Sequence, residues 1–124
     1  MRFLLPDDAA DDVRQAFAEA GHKVMTSAEI DLAADASPID RREAARRHQL
    51  ELIVTNRQSL DAVLPGSGDK ATFGRTLIFL NSGPSDAPLA VHRLFDRYKR
   101  LSPGRLYSVS PQRVKVSQLP SGPL

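Results

Sequence analysis

The chain has no cysteine and no tryptophan, and its aromatics are limited to two tyrosines and five phenylalanines. Without thiols it forms neither disulfides nor a thiolate metal site. Its three histidines, His22, His48 and His92, stand on separate stretches, so each reads as a surface or packing residue rather than a zinc ligand or a general base. Any metal is therefore expected on oxygen ligands. Long hydrophobic runs are missing too. Met1-Arg2-Phe3-Leu4-Leu5 meets Pro6-Asp7-Asp8 too soon to serve as a signal peptide, and no segment approaches membrane-spanning length. The expectation is a cytoplasmic protein with no membrane partner.

What remains is ordinary for a folded domain: 124 residues, 41% apolar and 26% charged. That length holds one core between a sheet and its helices, so a single domain over residues 1–118 is expected, with residues 119–124 as a frayed tail. The net charge of +2 hides a gradient. Residues 1–40 carry three basic against nine acidic side chains, and residues 91–124 seven against one. The cationic end includes Arg93, Arg97, Lys99, Arg100, Arg105, Arg113 and Lys115. Such a surface attracts phosphate backbones by counterion release and steering; it serves equally as a solvated helix face and a solubilising strand. Base stacking has little to work with there, since Tyr98 and Tyr107 are the only nearby aromatics with a polar edge.

Periodicity orders the elements. Arg2 to Leu5 reads as a buried strand, and Pro6-Asp7-Asp8 breaks it and supplies capping carboxylates for a helix. Val13, Ala16, Phe17 and Ala20 form that helix's apolar stripe, and Gly21 stops it. His22 to Thr26 is the second strand, and Ser27 to Ala36 a loop or weak helix. Ser37-Pro38 opens a helix running to about Gln49. Leu50 to Thr55 is the third strand, followed by a short helix over Asn56 to Leu64 and a long loop from Pro65 to Gly74. Thr76 to Leu80 is the fourth strand. Ser85 is placed to cap a helix whose Val91, Leu94, Phe95, Tyr98 and Leu101 face inward until Pro103-Gly104 ends it. Leu106 to Ser110 and Arg113 to Val116 form a hairpin about Pro111-Gln112, with Val114 and Val116 on one face and Arg113 and Lys115 on the other. Alternating strands and helices predict a parallel sheet covered on both faces, with an antiparallel hairpin at its edge. Ligands of such sheets bind beyond the carboxyl ends of the strands, which selects Asp7 and Asp8 after the first strand and Thr55, Asn56 and Arg57 after the third.

Phe3-Leu4-Leu5-Pro6-Asp7-Asp8, Gly21-His22-Lys23-Val24, Ser37-Pro38-Ile39-Asp40 and Ile53-Val54-Thr55-Asn56-Arg57-Gln58-Ser59-Leu60 together resemble a short bacterial PIN-like family. The closing Gly104-Arg105-Leu106 and Arg113-Val114-Lys115-Val116 are similar to its usual ending. The resemblance spans nearly the whole chain and implies a three-layer PIN-like fold. It further implies descent from metal-dependent ribonuclease toxins of toxin-antitoxin systems, in which carboxylates hold Mg2+ or Mn2+. Carried over, Asp7, Asp8 and Asp40 would hold the metal, Asn56 would position water, and Arg57, Arg97, Arg100, Arg113 and Lys115 would contact RNA.

The sequence departs from the family at three places: Pro6, Arg57 and Ser59 stand where acidic residues are expected. A guanidinium repels a cation rather than binding it. The expectation is accordingly a depleted acidic pocket with hydrolysis weak or lost; if active, an endoribonuclease using Mg2+ or Mn2+, otherwise with no cofactor. The alternative is a scaffold binding RNA, an antitoxin-like protein or a second copy of itself. Local readings stand beside these roles. Asp7 and Asp8 suit an N-cap and first turn, Asp40 the first turn after Ser37-Pro38, and Asn56 the cap of the next helix. Arg57 either grips a phosphate or pairs with a nearby carboxylate.

Overall fold

The computed structural model describes residues 1–6, 9, 11–33, 35–63, 75–83 and 85–118. Six strands and four helices alternate: β1 (Arg2–Leu4), α1 (Asp11–Glu19), β2 (Lys23–Met25), α2 (Pro38–Arg47), β3 (Glu51–Val54), α3 (Arg57–Val63), β4 (Leu77–Leu80), α4 (Ala87–Arg97), β5 (Arg105–Ser110) and β6 (Arg113–Gln118). A single 3-10 turn, Ala28–Ile30, lies between β2 and α2. The strands form one sheet in the order β2-β1-β3-β4-β5-β6; β1 to β5 are mutually parallel, and β6 returns antiparallel to β5.

The central strands are apolar without alternation because both their faces are covered. Glu51–Val54 and Leu77–Leu80 are buried throughout. The pleat then sorts their side chains into two cores. Ile53, Ile78 and Leu80 join Phe3, Phe17 and Phe95 beneath α1 and α4. Leu52, Val54, Leu77 and Phe79 join Leu4, Ala44, Ala45, Leu60 and Val63 beneath α2 and α3. Phe17 sits with ring centroids 5.0 Å from Phe3 and 5.6 Å from Phe95, and burying each ring contributes about 1.5–3 kcal/mol. The result is the three-layer α/β arrangement that the alternation predicts.

The four crossovers do not share one hand. α1 carries the chain from β1 outward to β2 on one face, whereas α2 and α3 step the opposite way along the sheet on the other face. Those three connections therefore have the same hand. α4 steps in the direction of α2 and α3 yet lies beside α1 on the first face, so β4-α4-β5 has the opposite hand. Its consequence is local. The hairpin face on the α2/α3 side carries no helix among the described residues, and there Ser108 and Ser110 are half-buried while Arg113, Lys115 and Ser117 are exposed.

Several boundaries differ from the sequence reading. Ala9 is not helical and α1 is described from Asp11, while Asp7 and Asp8 lie outside the described residues, as do the predicted loop from Pro65 to Gly74 and the tail from Leu119. Gly21 does stop α1: at φ +86° it lets the His22 N–H return to the Phe17 carbonyl at 3.0 Å. The cap of α4 is Asp86 rather than Ser85, and it makes no side-chain capping bond. α4 also ends at Arg97, well before Pro103-Gly104, because Tyr98 is already extended. Leu101 is buried all the same, from the segment that follows. At the amino ends of the strands, Tyr107 Oη accepts the Ser102 N–H at 2.9 Å, Thr76 Oγ1 donates to the Ser102 carbonyl at 3.2 Å, and Glu51 pairs with Arg75 at 3.4 Å. Thr76, Glu51 and Tyr107 are buried, and these contacts hold the floor of the sheet at the end opposite the site.

Candidate functional site

Strand order reverses between β1 and β3, where α1 leaves to one face and α3 to the other, and this switch point opens a crevice at their carboxyl ends. A cleft of about 270 Å³ lies there, lined among others by Pro6, Pro38, Arg41, Thr55, Asn56 and Ser59. Its floor is the apolar end of β3 and its rim is polar.

Among the described residues of that lining the ionisable side chain is Arg41. It stands in the first half of α2, whose N-terminus is fixed by Ser37: the Ser37 Oγ accepts the Asp40 N–H at 3.1 Å, and Pro38 supplies the first helical position. From there the guanidinium reaches back across the crevice. Its Nη1 donates to Ser27 Oγ at 2.7 Å and its Nη2 to the Leu5 carbonyl at 2.8 Å, tying the end of β1 to the segment after β2. Ser27 is buried, so its hydroxyl has this partner in place of water. The next residue, Arg42, is buried as well and donates from Nη1 to the Val63 carbonyl at 3.1 Å, satisfying the end of α3. α2 is thus held by two arginines reaching in different directions, while Ile39 is left 44% exposed.

The predicted site residues separate in space. Asp40 is exposed and does not line the cleft; the positions of α2 that line it are Pro38 and Arg41. Asn56 does line it, and its Oδ1 accepts the Ser59 N–H at 2.7 Å, which makes it the cap of α3. Arg57 points out of the cleft to Asp61 one turn along the same helix, Nε to Oδ1 at 3.4 Å, with its side chain 76% exposed. Pairing with a carboxylate, one of its two readings, is what is seen. The five basic residues do not form one patch. Arg113 and Lys115 lie on the hairpin face that no described helix covers, Arg97 ends α4 on the opposite face, and Arg100 is exposed in the segment beyond it. Sequence reasoning missed Arg41. The signal was available in the composition of α2, whose inward positions hold little beyond Ala44 and Ala45, too little apolar surface to dock a helix without polar anchors.

A second hollow lies between the carboxyl end of α1 and α4, lined among others by Glu19, His22, His92, Phe95, Asp96 and Lys99. His22 stacks on Phe95 with centroids 4.3 Å apart, and its Nδ1 lies 3.2 Å from the terminal amine of Met1. Burial, then the nearby terminal ammonium, push its pKa below the ordinary value. His92 lies 3.5 Å from Glu19 Oε2, and His48 caps the carboxyl end of α2. Among the described residues no three His, Asp or Glu side chains converge as metal ligands. Among the described residues Glu29 is the one carboxylate held below the usual range, by hydrogen bonds from the Thr26 N–H and hydroxyl and by Arg14.

The described lining of the switch-point cleft is not the donor set of a hard divalent cation. It offers neutral oxygens on Thr55, Asn56 and Ser59, together with a fixed positive charge. No family model, no curated protein and no solved structure matches the chain. Among the described residues no helix is long and apolar enough to cross a membrane.

Proposed function

We propose that this is a PIN-like protein related to the metal-dependent ribonuclease toxins of toxin-antitoxin systems, with its hydrolytic activity weak or lost. The reading is supported by the motifs at the ends of β1 and β3 and by the three-layer α/β architecture. One observation carries the loss of activity: the ionisable group in the described lining is the Arg41 guanidinium, while Asp40 and Arg57 stand outside the cleft. Metal-assisted hydrolysis needs several anionic oxygens around Mg2+ or Mn2+ to hold the ion and to activate water. A fixed guanidinium in the same crevice opposes that charge balance. Asp7 and Asp8 are the carboxylates the resemblance assigns, and the test falls on them. The helix-free cationic hairpin favours a further role for the same protein as a scaffold that binds RNA without cutting it.

The experiment compares cleavage of single-stranded RNA by wild type and by the Asp7→Asn/Asp8→Asn double variant in millimolar Mn2+. We expect both to remain close to the protein-free rate. Efficient Mn2+-dependent cleavage by wild type, far above the protein-free rate and abolished in the double variant, would overturn the proposal and restore an active carboxylate site.

A further inference from the structure

We infer that the open face of the β5/β6 hairpin is a docking surface for the phosphodiester backbone of single-stranded RNA, engaged without base recognition. The inference rests on the proposed PIN-like relationship only for its choice of RNA; the surface itself is defined by the fold. Because α4 crosses on the α1 side, the sheet continues for two strands past the described helices of the other face. The register places Leu106, Ser108 and Ser110 of β5 and Ser117, Lys115 and Arg113 of β6 on that side, while Tyr107, Val109, Val114 and Val116 turn beneath α4.

The chemistry of the face is one-sided. Arg113 and Lys115 are exposed, alternate neighbours on one strand, and so stand roughly 7 Å apart along it. Among the described residues three serine hydroxyls flank them, no carboxylate shares the face, and its one apolar side chain, Leu106, packs against the core. Residues 91–124, to which the hairpin belongs, carry seven of the basic residues and one acidic residue. Cations and hydroxyls in a flat row meet phosphate oxygens. Among the described residues the face has no aromatic platform on which bases would stack, since both rings of the Tyr98–Tyr107 pair, 5.6 Å apart, belong to the α4 side. Small serines also leave no side-chain pockets of the kind that select a bound peptide.

The test is fluorescence anisotropy of labelled oligouridylate and oligoadenylate of equal length with the full chain, across a salt series. Wild type is expected to bind both alike, and Arg113→Gln/Lys115→Gln to weaken binding roughly tenfold or more at low salt. Two lost phosphate contacts should also reduce the slope of log K against log salt by about 1.4. Arg97→Gln/Arg100→Gln, which removes equal charge from outside this face, is expected to change neither quantity as much. Equal losses in the two double variants, or an unchanged hairpin variant, would remove the face from RNA binding. Absence of binding by wild type, or a strong preference for one base, overturns the inference outright. Displacement of RNA by polyglutamate at equal charge concentration would reassign the face to an acidic protein. None of these outcomes touches the proposed loss of hydrolysis, which is judged by cleavage in Mn2+.

Discussion

Two arginines near the crevice show how little a residue type says before its partners are known. Arg57 follows β3 directly and sits where the resemblance expects an acid, yet its head is largely in water and its partner Asp61 is 62% exposed. Exposed pairs of that kind contribute about 0.3–0.5 kcal/mol. Arg41 drew no notice in the sequence, but its guanidinium closes the gap between β1 and the segment after β2, through one buried hydroxyl and one strand-end carbonyl. Hydrogen bonds from a charged donor are worth about 1.5–3 kcal/mol, and deleting the donor leaves Ser27 Oγ buried without it. Arg41→Ala is therefore expected to lower the unfolding free energy by about 2–3 kcal/mol in urea melts, and Arg57→Ala by no more than about 0.5 kcal/mol. Equal effects would mean that Arg41 is not the tie that its geometry describes.

At the scale of elements, the sequence was legible wherever local chemistry decides. Ser37-Pro38 marks the start of α2, Gly21 the end of α1, and the alternation of Val114 and Val116 with Arg113 and Lys115 gives the faces of β6. Prediction failed where tertiary contacts decide. Tyr98 and Leu101 continue the apolar period of α4, but the helix stops at Arg97 and Leu101 reaches the core from non-helical backbone. In α2 the pattern would send Ile39 inward and Arg42 out; the structure does the reverse, because Arg42 finds the Val63 carbonyl. The candidate site was legible as a place, the carboxyl ends of β1 and β3, and in Thr55 and Asn56, which line the cleft; Arg41 was not legible. The two capped helices at its rim can be compared directly. Ser37→Ala and Asn56→Ala should each cost about 1 kcal/mol, the usual penalty for losing an N-cap. Asn56→Asp should restore most of that loss, since a carboxylate oxygen can accept the same Ser59 N–H. If Asn56→Ala leaves the melting temperature unchanged, the residue is not held as a cap and its availability to a ligand reopens.

For the whole molecule, the opposite hand of the β4-α4-β5 connection sets where stability is concentrated. By lying beside α1, α4 doubles the cover over β1, β3 and β4 and brings Phe3, Phe17 and Phe95 into one cluster. β3 and β4 are then buried on both faces and hydrogen-bonded on both sides, whereas β2 is a three-residue edge strand with Lys23 exposed. β6 at the other edge is half solvated. Opening β3 or β4 must expose both cores at once, so their amides should exchange only through global unfolding; β2 can detach with loss of little beyond Val24. Native-state hydrogen exchange is accordingly expected to give the full unfolding free energy at Ile53 and Ile78. Lower values are expected at Met25 and Lys115, falling least with denaturant because little surface opens. Protection at Met25 equal to that at Ile53 would show that the β2 edge unfolds with the centre, and the distribution of stability drawn from the layering would be wrong.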